Sequence, residues 1–324
     1  MKQGRALGSA GMLARRVRET FDVDDGTVVA IPGTALHEGS SQDRYGAWRS
    51  SIGAAGRGPV EYLLPRIEIE ITDTAPGFMI PRGHLDATAD EIAARVDAIG
   101  PWDVPFRLGH GLCTMAEGMV AAVARRRFWY RVELINGAIA RLLGDELGRS
   151  TVLDVGCHSG LFSLDLAARG ATAVDGVDLR PQNIAQATFL AEHYGIDNVT
   201  FEVRDADELA AERAWDVVLN LGLLYHVLNP FELIEQTYSL CRSFAVIDTV
   251  CHTEPVSAFI VMGDKDVVRS SEGKAVFELH PTYRAVIDTM RGAGFSEIFE
   301  VVGRAERPHD LYATGNRRCF LAIR

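Results

Sequence analysis

Residues 152–171 read VLDVGCHSGLFSLDLAARGA, and the fold follows from that stretch. Its first residues are an apolar β-run that ends at Asp154-Val155-Gly156, a tight turn follows, and a helix covers 161–169. Strand, glycine turn and helix in that order open a sheet whose ligands lie beyond the carboxyl ends of its strands. Glycine there lets backbone N–H groups come close to a ligand, and the start of the helix favours a negative group.

Outward from this turn, β-runs and helical stretches alternate. AVDGVD (173–178) precedes a helix over 181–194, with Pro181 acceptable in its first turn; then come VTFEVRD (199–205), WDVVLNLG (215–222), a helix over 231–240 and FAVIDTV (244–250). A helix over 128–147 leads into the first strand. At the far end, a helix over 281–293 is followed by FSEIFEVVG and RRCFLAIR, whose short connection suits an antiparallel pair. The expected fold is therefore α/β: a Rossmann-like, seven-stranded, mostly parallel sheet with helices on both faces and an antiparallel C-terminal strand.

Residues 1–125 are expected to form an α+β extension that covers the substrate or mediates oligomerisation, ahead of a domain over 126–324. A short helix is predicted within 14–21, a strand pair over 61–73 around Pro65, and a helix from Asp86 to about Ile99. Between the first two, residues 37–58 are Gly- and Ser-rich like a long loop. The stretch 251–280 reads as an inserted cover, because insertions at carboxyl strand ends overhang the site.

The 324 residues carry 33 Lys+Arg against 44 Asp+Glu, a net charge of -11 that argues against a protein coating nucleic acid. The five cysteines form no CxxC pair, so neither a zinc site nor a disulfide framework is expected, and no metal is assigned. No apolar run approaches the ~20 residues that cross a bilayer, and the N-terminus lacks a signal-peptide core. A cytoplasmic setting is expected.

Asp154, Asp178 and Asp205 stand at or near the carboxyl ends of three successive strands. A carboxylate at the second such end can accept both hydroxyls of a ribose, and one at the third can take an adenine amino hydrogen. The loop Gly156-Cys-His-Ser-Gly160 departs from the dinucleotide pattern GxGxxG at His158, which weakens a nicotinamide or flavin reading.

Together VLDVGCHSG, GVDLRPQN, RDADEL and LNLGLLYHVLNP resemble the class I S-adenosylmethionine-dependent methyltransferases. Gly100-Pro101-Trp102 and Gly222-Leu-Leu-Tyr225-His226 resemble elements of the branch near the tRNA wobble-uridine carboxymethyltransferases and related small methyltransferases. The resemblance implies S-adenosyl-L-methionine as cofactor. Its methionine part would be cradled by Asp154, Gly156, Cys157, His158 and Gly160. Asp178 with Leu179 would hold the ribose, Asp205 with Ala206 the adenine, and Asn220, Leu221 and Gly222 would lie against the sulfonium. The carboxymethyl-transferring members read PWRKGP where this chain reads PWDVPF, so their lysine falls near Val104 and ordinary methyl transfer is the expectation.

Methyl transfer from a sulfonium needs alignment, exclusion of water and, for an acceptor of high pKa, a base within hydrogen-bond reach. His226 is the candidate base, with order in the loop before Pro230 as its structural alternative; Tyr225 is a candidate wall of the site. Trp102, His252, His280 and Tyr283 are candidate substrate contacts, with Met262, Lys265, Arg269, Arg307, His309, Tyr312 and Arg317 as weaker ones. RRRFWYR (125–131) combines charge with aromatics, but Phe128, Trp129 and Val132 suit burial of a helix. No Asn-Pro-Pro-Tyr follows the fourth strand, which counts against methylation of DNA-base or glutamine amide nitrogens.

The expected function is methyl transfer to a small-molecule O or N acceptor in secondary metabolism. A tRNA modification enzyme is the closest alternative, and a non-catalytic cofactor-binding protein and a nicotinamide oxidoreductase are rivals of other classes. The expected partners are a small-molecule substrate or, as the alternative, tRNA, with no membrane and a homodimer to be tested.

Overall fold

Residues 8–23, 64–72, 87–116, 118–209, 213–254, 256–263, 277–306 and 309–324 are described by the computed structural model. The chain opens with α1 (Ala10–Phe21), β1 (Arg66–Glu70) and α2 (Ala89–Ala98). Thr88 and Glu91 close a capping box at the start of α2, satisfying two of its otherwise orphaned donors. A small hairpin of β2 (Arg107–Gly109) and β3 (Leu112–Cys113) leads to α3 (Met119–Val132), a π-helical turn over Glu133–Gly137, and α4 (Ala138–Leu143). The alternating part follows as β4 (Thr151–Val155), α5 (Leu161–Ala168), β5 (Ala173–Asp178), α6 (Pro181–Tyr194), β6 (Val199–Val203), β7 (Trp215–Leu221), α7 (Pro230–Leu240) and β8 (Cys241–Val250). A hairpin of β9 (Phe259–Gly263) and β10 (Phe277–Pro281) is inserted before α8 (Tyr283–Ala293), β11 (Glu297–Arg304), α9 (Asp310–Ala313) and β12 (Arg317–Ile323).

The central sheet has the order β1-β11-β12-β8-β7-β4-β5-β6. Only β12 runs against its neighbours, antiparallel to both β8 and β11. From β4 the chain proceeds outward through β5 and β6, then returns to β7 on the other side of β4. That reversal opens a crevice at the carboxyl ends of β4 and β7, where ligands of open α/β sheets bind. Side chains alternate strictly between two cores. On β8, Phe244 and Val246 enter one while Ala245 and Ile247 enter the other; on β12, Leu321 and Ile323 oppose Phe320 and Ala322.

The sequence reading counts seven strands, and the sheet carries an eighth. Among the described residues, the segment around Pro65 has one strand, β1, which pairs in parallel with β11 at the sheet edge (Arg66 opposite Glu300, Glu70 opposite Arg304). Ile67 and Ile69 point inward and the three charged residues outward, the period of a half-buried strand. Leu13, Val17 and Phe21 of α1 share the same core as this strand and the sheet. The helix predicted from Phe128 begins instead at Met119, because Met119, Val120 and Val123 are exposed and give no inward apolar period in its first turns. The predicted helix from Pro281 begins at Tyr283: Pro281 closes β10, and the Thr282 hydroxyl caps α8 by accepting from Ala285 N–H. Residues 37–58, Lys265, Arg269 and Arg307 lie outside the described residues.

Candidate functional site

The turn after β4 is held by its own backbone. Gly156 and Cys157 N–H both donate to Val177 O at 2.9 Å, and Gly160 N–H donates to Cys157 O. Gly156, His158 and Gly160 take positive φ of 74°, 52° and 77°. Histidine in that region is uncommon and pays a steric cost that glycine escapes. The His158 ring is engaged, with Nδ1 at 3.1 Å from Ser159 Oγ and Nε2 at 3.6 Å from Asp103 Oδ2. Asp103 thus brings the segment after Trp102 against the glycine turn.

Gly160 is required by packing more than by a ligand. A Cβ there would stand 2.7 Å from Phe201 and 3.0 Å from Ala187, and one at Gly176 would meet the same Phe201 ring at 2.6 Å. Gly156 has more room, with Leu223 at 3.4 Å. Cys157 is buried beneath the turn, and desolvation keeps its thiol well above the usual range, so it is inert packing.

The three expected carboxylates occupy three different environments. Asp154 is buried and accepts from Ser163 Oγ at 2.6 Å; burial is the main reason its carboxyl is pushed up to about 6, with nearby Asp178 acting in the same direction. Asp178 ends β5 and organises the turn: Oδ2 accepts from His158 N–H, and Oδ1 accepts from Arg180 N–H and Asn183 Nδ2. Those three bonds leave acceptor capacity on Oδ2, which a ribose hydroxyl can use. Leu179 beside it is exposed, and Asp205 caps the turn that holds Ala206 by accepting from Asp207 N–H.

Across the crevice, Asn220 is fully buried, and its Nδ2 reaches Thr237 of α7 at 3.4 Å. Its side chain therefore faces the helix, so Asn220 can border the crevice only through its backbone. Leu221 is half-buried, and Gly222, at φ 92°, donates its N–H to Asp248 O at 2.7 Å. A Cβ on Gly222 would come within 2.9 Å of Arg317 Nη2. Arg317 is held by Asp248, which accepts from its Nε and Nη2 at 2.7 and 2.6 Å, from Arg131 Nη2 at 2.9 Å and from the Tyr312 hydroxyl. The two guanidinium groups overcome the desolvation of this buried carboxylate and hold its pKa low. Arg131, taken in sequence as part of a structural helix face, thereby reaches the end of β8.

After Gly222, a 3-10 turn over Leu224–His226 presents two rings, Tyr225 and His226, with centroids 4.1 Å apart. The inserted hairpin returns beside them. His252 N–H donates to Pro281 O and Tyr283 N–H donates to His252 O, which pins the His252 and His280 rings together at 5.6 Å. His280 stands 5.5 Å from Tyr225. The Glu278 carboxylate lies between two histidines, 2.6 Å from His280 Nε2 and 3.4 Å from His226 Nδ1. Burial pushes the His226 pKa down to about 4, Arg317, His280 and Arg180 add to that shift, and Glu278 opposes it.

Two of the predicted substrate contacts lie apart from this cluster. Trp102 is buried, donates its indole N–H to Val96 O at 2.9 Å, and packs edge-on against Phe106 and Phe189. Tyr283 stacks on Phe320 under the Arg318 guanidinium, and burial raises its hydroxyl pKa. The sequence reading assigned no role to Glu278 or Asp248. Nothing in the spacing places a residue of the insertion beside the fourth-strand turn, although a carboxylate two residues from His280 is a signal in retrospect. Among the described residues, no group of three or more His, Cys, Asp or Glu is arranged to hold a metal ion, and no helix is long and apolar enough to cross a membrane.

Residues 152–243, from β4 into the start of β8, match the family described as Methyltransferase domain, Methyltransf_25. These residues form a methyltransferase domain. S-adenosyl-L-methionine is the cofactor that such a domain implies. The methyltransferase fold is seen also in the N-terminal domain of EvdMO1 with SAH bound, at a TM-score of 0.55 and 21% identity, over 73% of this chain and 96% of that one. Over 128 residues the chain is 31% identical to a ubiquinone biosynthesis O-methyltransferase of Psychrobacter cryohalolentis, covering 38% of this chain and 49% of the relative. Over 198 residues it is 30% identical to a tRNA U34 carboxymethyltransferase of Methylococcus capsulatus, covering 59% of this chain and 54% of the relative. The chain spans about half the length of these two relatives.

The residues present fit the cofactor. A donor-rich, positively charged ligand would meet a carboxylate with unspent acceptor capacity at Asp178, with the buried acid Asp154 just before the glycine turn. When bound, S-adenosyl-L-methionine supplies a methyl group already carried on a good leaving group.

Proposed function

We propose that this chain methylates an O or N nucleophile on a small molecule of secondary metabolism, with His226 as general base. The observation that carries this reading is the placement of His226: a largely buried ring, held uncharged at neutral pH, on the turn that follows β7 and within reach of a carboxylate. An uncharged imidazole can accept the acceptor's proton as the new bond forms, and its low pKa limits it to acceptors whose own proton is loosened by the site. Gly156 to Gly160, Asp178, Asp205 and the Asn220–Gly222 backbone hold the cofactor. Tyr225, His252 and His280 line the acceptor side, and the β9–β10 hairpin covers it and keeps water out. The net charge of -11 favours a small acceptor over a polyphosphate chain.

Incubating the protein with isotopically labelled cofactor and cell extract, then resolving products by mass spectrometry, tests this. One small labelled product should appear, and His226→Ala should lower its yield at least tenfold while calorimetry shows SAH still binding. With His226 titrating near 4, the acid limb of the rate lies well below the usual histidine range and activity is flat from about pH 6 upward unless another group intervenes.

A second reading, modification of tRNA, is favoured by the relative from Methylococcus capsulatus and by the arginines at 125–127 on α3. It requires binding that weakens steeply with salt; the same extract assay separates the two, because the label would then appear in RNA.

A further inference from the structure

The inserted hairpin does more than border the site, because it carries the carboxylate that faces His226. Glu278 sits on β10, which lies against the turn after β7, and its two oxygens address two different rings. Oε2 is 2.6 Å from His280 Nε2, and Oε1 is 3.4 Å from His226 Nδ1. A carboxylate has acceptors only, so at 2.6 Å His280 must present Nε2–H. The same logic at Oε1 selects the His226 tautomer with its proton on Nδ1, leaving Nε2 as the free lone pair. The 3.4 Å distance is long for a hydrogen bond, and catalytic hydrogen bonds of this kind commonly tighten when the reacting complex forms.

We infer that Glu278 is the positioning residue of His226, fixing the imidazole in its Nδ1–H tautomer so that Nε2 is the atom that takes the acceptor's proton, with His280 holding the carboxylate in place. This deepens the reading of His226 as base and rests on it. The consequence is that the insertion supplies part of the catalytic arrangement and not only a cover. The groups facing His226 are Tyr225 on its own turn, Glu278 and His280 on β10, Arg317 at the start of β12 and Arg180 after β5. Of these, Glu278 alone favours the protonated ring; the two arginines and His280 oppose it. Tyr225 adds a ring contact and no opposing acceptor.

Glutamine at 278 makes a sharp test, because a carboxamide keeps the shape but has one acceptor and one donor end. If its oxygen stays with His280 Nε2–H, its nitrogen must donate to His226 Nδ1, which forces the proton to Nε2. The experiment uses the full chain with ¹⁵N-labelled histidine, saturated with SAH, and reads the ring nitrogens by long-range ¹H–¹⁵N correlation; His226→Gln identifies the His226 signals. The inference expects Nδ1–H in the wild type, the opposite tautomer in Glu278→Gln, and an onset of ring protonation shifted to lower pH in Glu278→Ala. An Nε2–H tautomer in the wild type, or His226 signals that do not change in Glu278→Gln, overturns it. Glu278 is partly exposed, so neither variant should unfold, and SAH affinity should stay within about twofold; loss of SAH binding would place Glu278 in the cofactor site and also overturn the inference. Failure of the base reading shows separately, as full methyl transfer by His226→Ala with the tautomer result intact.

Discussion

Asp154 illustrates how a buried acid before the glycine turn makes stability depend on pH. In the folded chain its carboxyl titrates near 6, against about 4 in an unfolded chain. The folded state therefore holds that proton more tightly, and the stability it contributes is fully present below about pH 4 and is lost as the pH rises to about 6. Asp154→Asn carries no charge to desolvate and can still accept from Ser163. It should unfold at the same temperature as the wild type near pH 4 and at a higher one at pH 7.5, by the equivalent of about 2–3 kcal/mol. Thermal unfolding at the two pH values checks this, and equal shifts at both would show that burial of the charge is not the cause. The position of Asp154 before the glycine turn is plain in the sequence. Its burial under Ser163 is not, because that depends on where α5 sits.

Among the elements, two contacts carry unusual weight. The first is the seat of α5 on the sheet, where Gly160 lies against Phe201 of β6 and Ala187 of α6. Gly160→Ala adds a methyl at 2.7 Å from an aromatic ring in a backbone region costly for any side chain, so about 2–4 kcal/mol of stability should be lost. Urea unfolding with an unchanged slope would show that loss directly. The second is Asp248, which ties β8, β12, α9 and α3 together through Arg317, Tyr312 and Arg131. Its depressed pKa means that its stabilisation holds above about pH 4 and fades as the pH falls through the folded value. Asp248→Asn leaves the buried Arg317 and the partly buried Arg131 without a counter-charge, and a loss of about 3–5 kcal/mol is expected at pH 7, again by urea unfolding. Phe201 and the acid-terminated strands are legible in the sequence, but the four-residue junction around Asp248 joins positions 131, 248, 312 and 317. No local pattern links them.

For the whole molecule, the described N-terminal residues are part of the sheet. β1 extends its edge and α1 buries Leu13, Val17 and Phe21 in the same core as Phe244 and Leu321. Fully burying one such side chain is worth roughly 1.5–3 kcal/mol, so removing all three costs an amount comparable to the usual margin of domain stability, before the loss of β1 is counted. A chain lacking residues before 98 should therefore lose its cooperative unfolding transition, whereas a merely appended cover would leave that transition in place; calorimetry of the truncated and full chains distinguishes the two.

What the sequence determined by itself is the alternating half from β4 to β7: strand, glycine turn and helix, the aspartates at successive strand ends, and the Tyr225-His226 pair after the fourth strand. Each is local, because a turn, a cap or a buried run depends on neighbours in the chain. The cluster around His226 was decided by tertiary structure alone. Glu278 and His280 reach His226, and His252 reaches His280, only because the insertion folds back as a hairpin, Arg131 and Arg317 meet only through Asp248, and Trp102 turns into the core against Phe189 and away from the cluster. Such contacts join residues distant in the chain, and the free energy that selects them comes from burial and charge pairing across elements, which sequence spacing does not record.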